Sequence, residues 1–238
     1  MANFSKIAIM NKSLLTVLAI GLWASVQSQS ISRPTSVFEE SYGQDGKPMT
    51  GKVKLVEGSP MFQEKWFEGK VVLTKGKEFT DAQFQFNLAT QQLFFKKDST
   101  VFAFTEPLVS FTLQQQQKGV AQSFQFKNGY PAIGKWGSNC IYQVLVDGAK
   151  LQLLKLEEKK EQEQYVYNQP AKWVYKSQVS WYAFLPATRE IREVKNNLAE
   201  LTKILPEFEA GIQGFAANKK GKKLDEPTLS LLFESLNK

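Results

Sequence analysis

Between residues 82 and 126 apolar and polar side chains repeatedly alternate one for one, and this period of two constrains the fold more than any other feature. Ala82, Phe84, Phe86 and Leu88 are separated by Gln83, Gln85 and Asn87, so an extended chain presents one greasy face and one amide-rich face. Val109, Phe111 and Leu113 repeat the pattern against Ser110, Thr112 and Gln114, and it returns around Phe124 and Phe126. Lys75-Gly76, Lys97-Asp98-Ser99, Asn128-Gly129 and Asp147-Gly148 interrupt these runs. Asn-Gly and Asp-Gly supply the positive φ of tight hairpins, which predicts antiparallel neighbours on either side.

About a dozen short strands are expected between Val53 and Phe184, among them 69–74, 92–96, 141–146, 151–156, 173–175 and 179–184. Spacing this close leaves little room for crossover helices. The expected fold is mainly β: a curved or barrel-like antiparallel meander capped by short C-terminal helices. Aromatic residues make up 13% of the chain. Their size and shape suit the half-buried faces of such sheets.

Near Lys195 the period becomes helical. Asn197, with Glu200 three residues on, reads as a capping box, and Leu198, Leu201 and Leu205 share a face up to Pro206. Phe208, Ile212 and Phe215 form a second stripe. Asp225 caps the last helix, with Pro227 in its first turn and Leu229, Leu232, Phe233 and Leu236 on one face. Helices this short are marginal alone in water, so the stripes should dock on the β body.

The N-terminus reads as a secretory signal: Lys6 and Lys12, then the apolar run 13–23, then small residues with cleavage after Ala24 or Ser28. The apolar run is shorter than the ~20 residues of a bilayer span, so no stable membrane span is expected after cleavage. The domain reading is therefore residues 1–28 as signal peptide, 29–51 as a loosely ordered lead-in, 52–194 as an antiparallel β domain and 195–238 as a helical tail packed on it. The chain is expected in the periplasm, at the cell surface or outside the cell. A single cysteine, Cys140, cannot form an internal disulfide, so the core must hold the fold; the thiol itself is expected as a small buried hydrophobe. The formal charge of +7 is spread out apart from Lys219, Lys220, Lys222 and Lys223, and points to no nucleic-acid partner.

Histidine is absent. Ser-His-Asp triads, Cys-His pairs, HExxH zinc sites and His-ligated haem are therefore excluded. With one cysteine, thiolate zinc and iron-sulfur sites fail too, and no nucleotide-binding glycine loop appears, so neither a metal nor a cofactor is expected. Carboxylate chemistry remains open, because a glycosidase needs only two acids. Glu157, Glu158, Glu161 and Glu163 read instead as a solvated hairpin end, and Gln114 to Gln117 as a strand end. The one loop that stands out is 129–139, where three glycines surround Tyr130 and Trp136. These two aromatics are the candidate ligand-binding residues, against the alternative that Trp136 tucks over the end of the sheet.

Gly58-Ser59-Pro60, the strand 69–76, Asn87-Leu88-Ala89-Thr90 with Leu93 to Lys96, Phe111, and Tyr142, Val144, Leu145 and Gly148 occur in an order that resembles uncharacterised secreted proteins of Gram-negative bacteria. The resemblance implies an exported β-rich protein and assigns no catalytic or ligand residue. The expected function is that of an exported noncatalytic binding or envelope-associated protein, whose partner is an apolar small molecule or an envelope protein. The alternative is a carboxylate-dependent hydrolase acting on envelope polysaccharide. Oligomeric state is left open.

Overall fold

The structure, a computed structural model, describes residues 56–104, 106–117, 119–165, 167–168, 171–217 and 224–238. The signal segment, the lead-in, the first residues of the β domain and the lysine-rich linker lie outside the described residues.

Twelve strands and three α-helices form among the described residues. The strands are β1 (Val56–Glu57), β2 (Glu68–Leu73), β3 (Glu78–Phe79), β4 (Gln83–Asn87), β5 (Gln92–Lys97), β6 (Thr100–Ala103), β7 (Leu108–Gln117), β8 (Val120–Lys127), β9 (Tyr142–Asp147), β10 (Gln152–Gln164), β11 (Lys172–Leu185) and β12 (Glu190–Val194). The helices are α1 (Leu198–Ile204), α2 (Glu209–Ala217) and α3 (Glu226–Leu236), with a 3-10 turn at Pro206–Phe208 between the first two. The protein is mainly β with short C-terminal helices, as expected.

The sheet is neither a closed barrel nor a simple meander. Nine strands make one open sheet in the order β1-β11-β10-β9-β8-β7-β2-β3, with β12 also paired to β11, while β4-β5-β6 form a second sheet. The chain moves between them at a corner. Phe62 N–H donates to the Phe86 carbonyl at 2.8 Å, and Phe67 exchanges hydrogen bonds with Phe84, before the next residue opens β2 in the large sheet. Gly69 sits just past this corner, where a Cβ would lie 1.9 Å from the Thr112 carbonyl oxygen, so only glycine lets β2 approach β7.

The strands on either side of Asn128-Gly129 and Asp147-Gly148 are antiparallel neighbours, as expected, but neither connection is a tight turn with the glycine at its tip. Gly129 has φ 82°, but it opens the long loop to β9. At Asp147-Gly148 the glycine needs no positive φ; it clears space for Asn237, whose amide would meet a Cβ at about 2.1 Å.

Not every strand is short. The expected segments 173–175 and 179–184 are one 14-residue strand, and 151–156 extends to Gln164 as a 13-residue strand. Only Gln152 to Lys155 pair with β9; farther along the ribbon, β1 pairs with β11 at Trp173 and Val174, and Gln91 Nε2 donates to the Glu157 carbonyl of β10 at 3.4 Å. The acidic run lies there, and its alternation with Lys159 and Lys160 blunts an edge that would otherwise invite strand addition.

Cross-strand partners share a face, which places both caps on one side of the large sheet. On that side, α3 buries Leu229, Leu232, Phe233 and Leu236 with Leu151, Leu153, Ala183 and Val146. Each such side chain contributes about 1.5–3 kcal/mol. Further along, the small sheet packs Phe84, Phe86 and Leu93 against Val71, Phe111, Leu113 and Phe126. Phe111 and Phe126 stack with ring centroids 4.7 Å apart, and Phe86 meets both edge-on at 5.2 Å. The opposite side is covered only in part, by the loop after β8.

Both N-caps form as read, but the capping box does not: Glu200 pairs with Lys203 at 3.0 Å and does not reach back to Asn197. Asn197 Oδ1 accepts from Ala199 N at 2.9 Å and Asp225 Oδ1 from Thr228 N at 3.0 Å, satisfying first-turn donors that the helix itself leaves unpaired.

Candidate functional site

A sizeable concavity of the described surface lies at the corner between the two sheets. Its volume is about 590 Å³, within the roughly 300–1,000 Å³ of small-ligand sites. Glu68, Gly69 and Gln114 form the large-sheet wall; residues 80–83 and 96–98, from the open end of the small sheet, form the other. The β4-β5 register, with Gln83 opposite Lys96, and the turn at Asp98, φ 56°, fix the second wall. Five of the lining residues are charged: Glu68, Asp81 and Asp98 against Lys96 and Lys97. The walls carry no aromatic and no branched aliphatic side chain.

A second pocket, between the layers, is far smaller. Between the helical cap and the small sheet, a seam lined by Phe62, Phe86, Leu88 and Phe126 holds only about 10 Å³, no more than about one water. Lys155 and Glu157 close it on the sheet side, and Lys155 also pairs with Glu226 at the start of α3 at 2.9 Å. Here Lys159 Nζ donates to the Ser59 and Met61 carbonyls at 3.0 and 2.5 Å. Nearby, Asn87 Oδ1 accepts from Ala89 N and Thr90 N at 2.9 and 3.1 Å. Residues 87–90 thus close a local turn, and Leu88 N–H donates to the Pro60 carbonyl at 2.9 Å, which ties that turn to the Gly58-Ser59-Pro60 segment.

Tyr130 and Trp136 both come to the other side of the sheet, over the cluster of Cys140, Tyr142, Leu154, Leu156, Tyr182 and Phe184. Tyr130 is 5% exposed; its ring meets Tyr142 and Phe184 edge-on at 5.5 and 5.0 Å, and its hydroxyl donates to Gln152 Oε1 at 3.1 Å. Trp136 is half-buried, and Ile133 and Trp136 exchange backbone hydrogen bonds around Gly134-Lys135. Lys135 Nζ lies 4.4 Å from the Trp136 ring centroid and 3.1 Å from Glu158. Both aromatics therefore act as a lid on the core. Burial pushes the Cys140 thiol up to about 11 and raises Tyr130, Tyr142 and Tyr182 above the usual phenol value, which suits packing rather than nucleophilic chemistry.

The sequence reading passed over two other tyrosines. At the tip of the β10-β11 ribbon Tyr165 is 75% and Tyr167 92% exposed. Their signal was a pair of aromatics two apart ahead of Asn168, whose φ is 61°, at the end of a charged run. It missed the corner cleft as well, because Glu68, Asp81 and Lys96 are neighbours only through strand register.

Among the described residues no three His, Cys, Asp or Glu side chains gather as a metal site, and no helix is long and apolar enough to cross a membrane. No family model, curated protein or solved structure matches this chain.

Proposed function

We propose that the protein is an exported, noncatalytic binding protein that engages an envelope-associated ligand or partner at its surface. The observation that supports this reading is the contrast between the narrow apolar seam and the open, polar cleft. An apolar ligand held inside the sheet would need a cavity of several hundred Å³, and the seam offers about 10 Å³. The export part rests on the basic, apolar and small-residue order of the N-terminus and on the resemblance to secreted β-rich proteins.

The hydrolase reading has one observation in its favour, the three carboxylates on the cleft. A glycosidase seats its acid against an apolar wall, whereas Glu68, Asp81 and Asp98 all stand exposed to water. Binding is the better account.

The test is to incubate the purified mature protein with isolated cell-envelope material, sediment it, and assay the supernatant for new reducing ends. Binding predicts co-sedimentation with no release of sugar. Release that disappears in Asp81→Asn would establish the hydrolase instead.

A further inference from the structure

We propose that the corner cleft is a site for a short peptide carrying both an ammonium and a carboxylate group. This rests on the surface-binding reading above and assigns its ligand class.

The lining disfavours three other classes of small ligand. An apolar molecule would strip water from charges and return no hydrogen bonds. A polyanion would meet three carboxylates against two lysines. A purely cationic ligand would have Lys96 and Lys97 beside it.

A ligand of both signs meets no such penalty. Lys70 and Glu78, on the neighbouring strand pair, reach each other at 2.6 Å. In the cleft no such pair forms among the described residues, although lysines and carboxylates line the same space. Glu68 stands on the large sheet, across the corner from Lys96 and Lys97, while Asp81 and Asp98 share the small-sheet wall with them. Charges that form no ion pair with one another suit a guest that brings a complement to each. The Gln83 and Gln114 amides and the Thr80 hydroxyl, which already donates to Asp81 at 3.3 Å, then supply donors and acceptors for the peptide groups between its charged ends.

Isothermal titration and amide chemical-shift mapping would use three probes: the free tetrapeptide Lys-Gly-Gly-Glu, the blocked neutral peptide Gln-Gly-Gly-Gln, and maltotetraose. The charged tetrapeptide should bind, shift the Thr80, Gln83 and Gln114 resonances, and weaken as salt is raised. Lys96→Gln with Lys97→Gln should cost about tenfold in affinity, as should Asp81→Asn, with melting temperatures unchanged because these side chains contribute nothing to the core. Absence of shifts in the cleft, or equal binding by the neutral peptide or the sugar, would overturn the assignment. If the protein still co-sediments with envelope material while the tetrapeptide fails, only the ligand class falls; if both fail, the surface-binding reading falls with it.

Discussion

Asn237 is joined to Leu151 as one rung of a β-ladder is joined to the next: its Oδ1 accepts the Leu151 N–H at 3.0 Å and its Nδ2 donates to the Leu151 carbonyl at 2.8 Å. The same amide also accepts from Lys150 N at 3.0 Å and donates to the Phe233 carbonyl at 2.8 Å. One side chain thus anchors the end of α3 to the β9-β10 turn. Asn237→Ala should destabilise the protein by about 2–4 kcal/mol, since it strands partly buried backbone groups. Gly148→Ala should also destabilise, because its Cβ would strike that amide. The two should couple: Gly148→Ala should cost less in the Asn237→Ala background, as chemical denaturation of the four proteins would measure. Strict additivity would mean that the contact is not what requires glycine.

The helical cap should be separable from β structure. Phe233, on the inner face of α3, is fully buried, so Phe233→Ala should cost about 3–5 kcal/mol. Removal of residues 195–238 should raise binding of a hydrophobic dye and lower the melting temperature, while circular dichroism still reports strands. A truncated protein that melted and bound dye like the full mature chain would contradict the packing described.

Stability should fall on the alkaline side. Cys140, Tyr130, Tyr142 and Tyr182 have raised values when folded, chiefly through burial. In the unfolded chain such groups lose protons near 9.0 for the thiol and 10.0 for the phenols. Above those values the folded state binds more protons than the unfolded one, so stability decreases with rising pH. With no histidine in the chain, the melting temperature should be nearly level between about pH 6 and 8 and drop above about pH 9. A scan of melting temperature against pH tests both parts.

Export predicts that protein recovered from its native host begins after Ala24 or Ser28. N-terminal sequencing decides it, and a chain beginning at Met1 would contradict it.

The elements that the sequence exposes are those in which local chemistry and tertiary burial agree. Phe84, Phe86 and Leu88 alternate because one side of β4 is core, and Asp225 and Asn197 cap because a helix start needs acceptors. The β10-β11 ribbon was hidden because residues 157–164 are charged on both faces, and strand pairing rather than burial holds them extended. β12 follows the last strand expected and offers only Ile191 and Val194 as apolar residues. The division into two sheets was hidden for another reason. Alternation tells that a residue faces a core but not which layer supplies the other side, and the corner at Phe67-Glu68 carries no turn residue except Gly69. The cleft follows from that corner, so it was no more legible than the corner itself. Tyr130 and Trp136 were legible as prominent aromatics, and only the fold shows that they cover Tyr142 and Phe184.

Strand β11 is bordered on one edge by two different parts of the chain. Val56 lies parallel to Trp173 at one end and Val194 antiparallel to Trp181 at the other, and Glu57 reaches Lys172 at 2.7 Å across 115 positions of sequence. The pairing at Val56 forms only after nearly all of the β body has emerged, because its template is synthesised last among the long strands. Loop-closure entropy delays such contacts during folding. The early residues must therefore wait unpaired while local hairpins such as β4-β5 and β7-β8 assemble. The order in which a polypeptide leaves a translocation channel would leave this segment the longest without its partner, so the time for which it must resist misassociation is set by the arrival of β11.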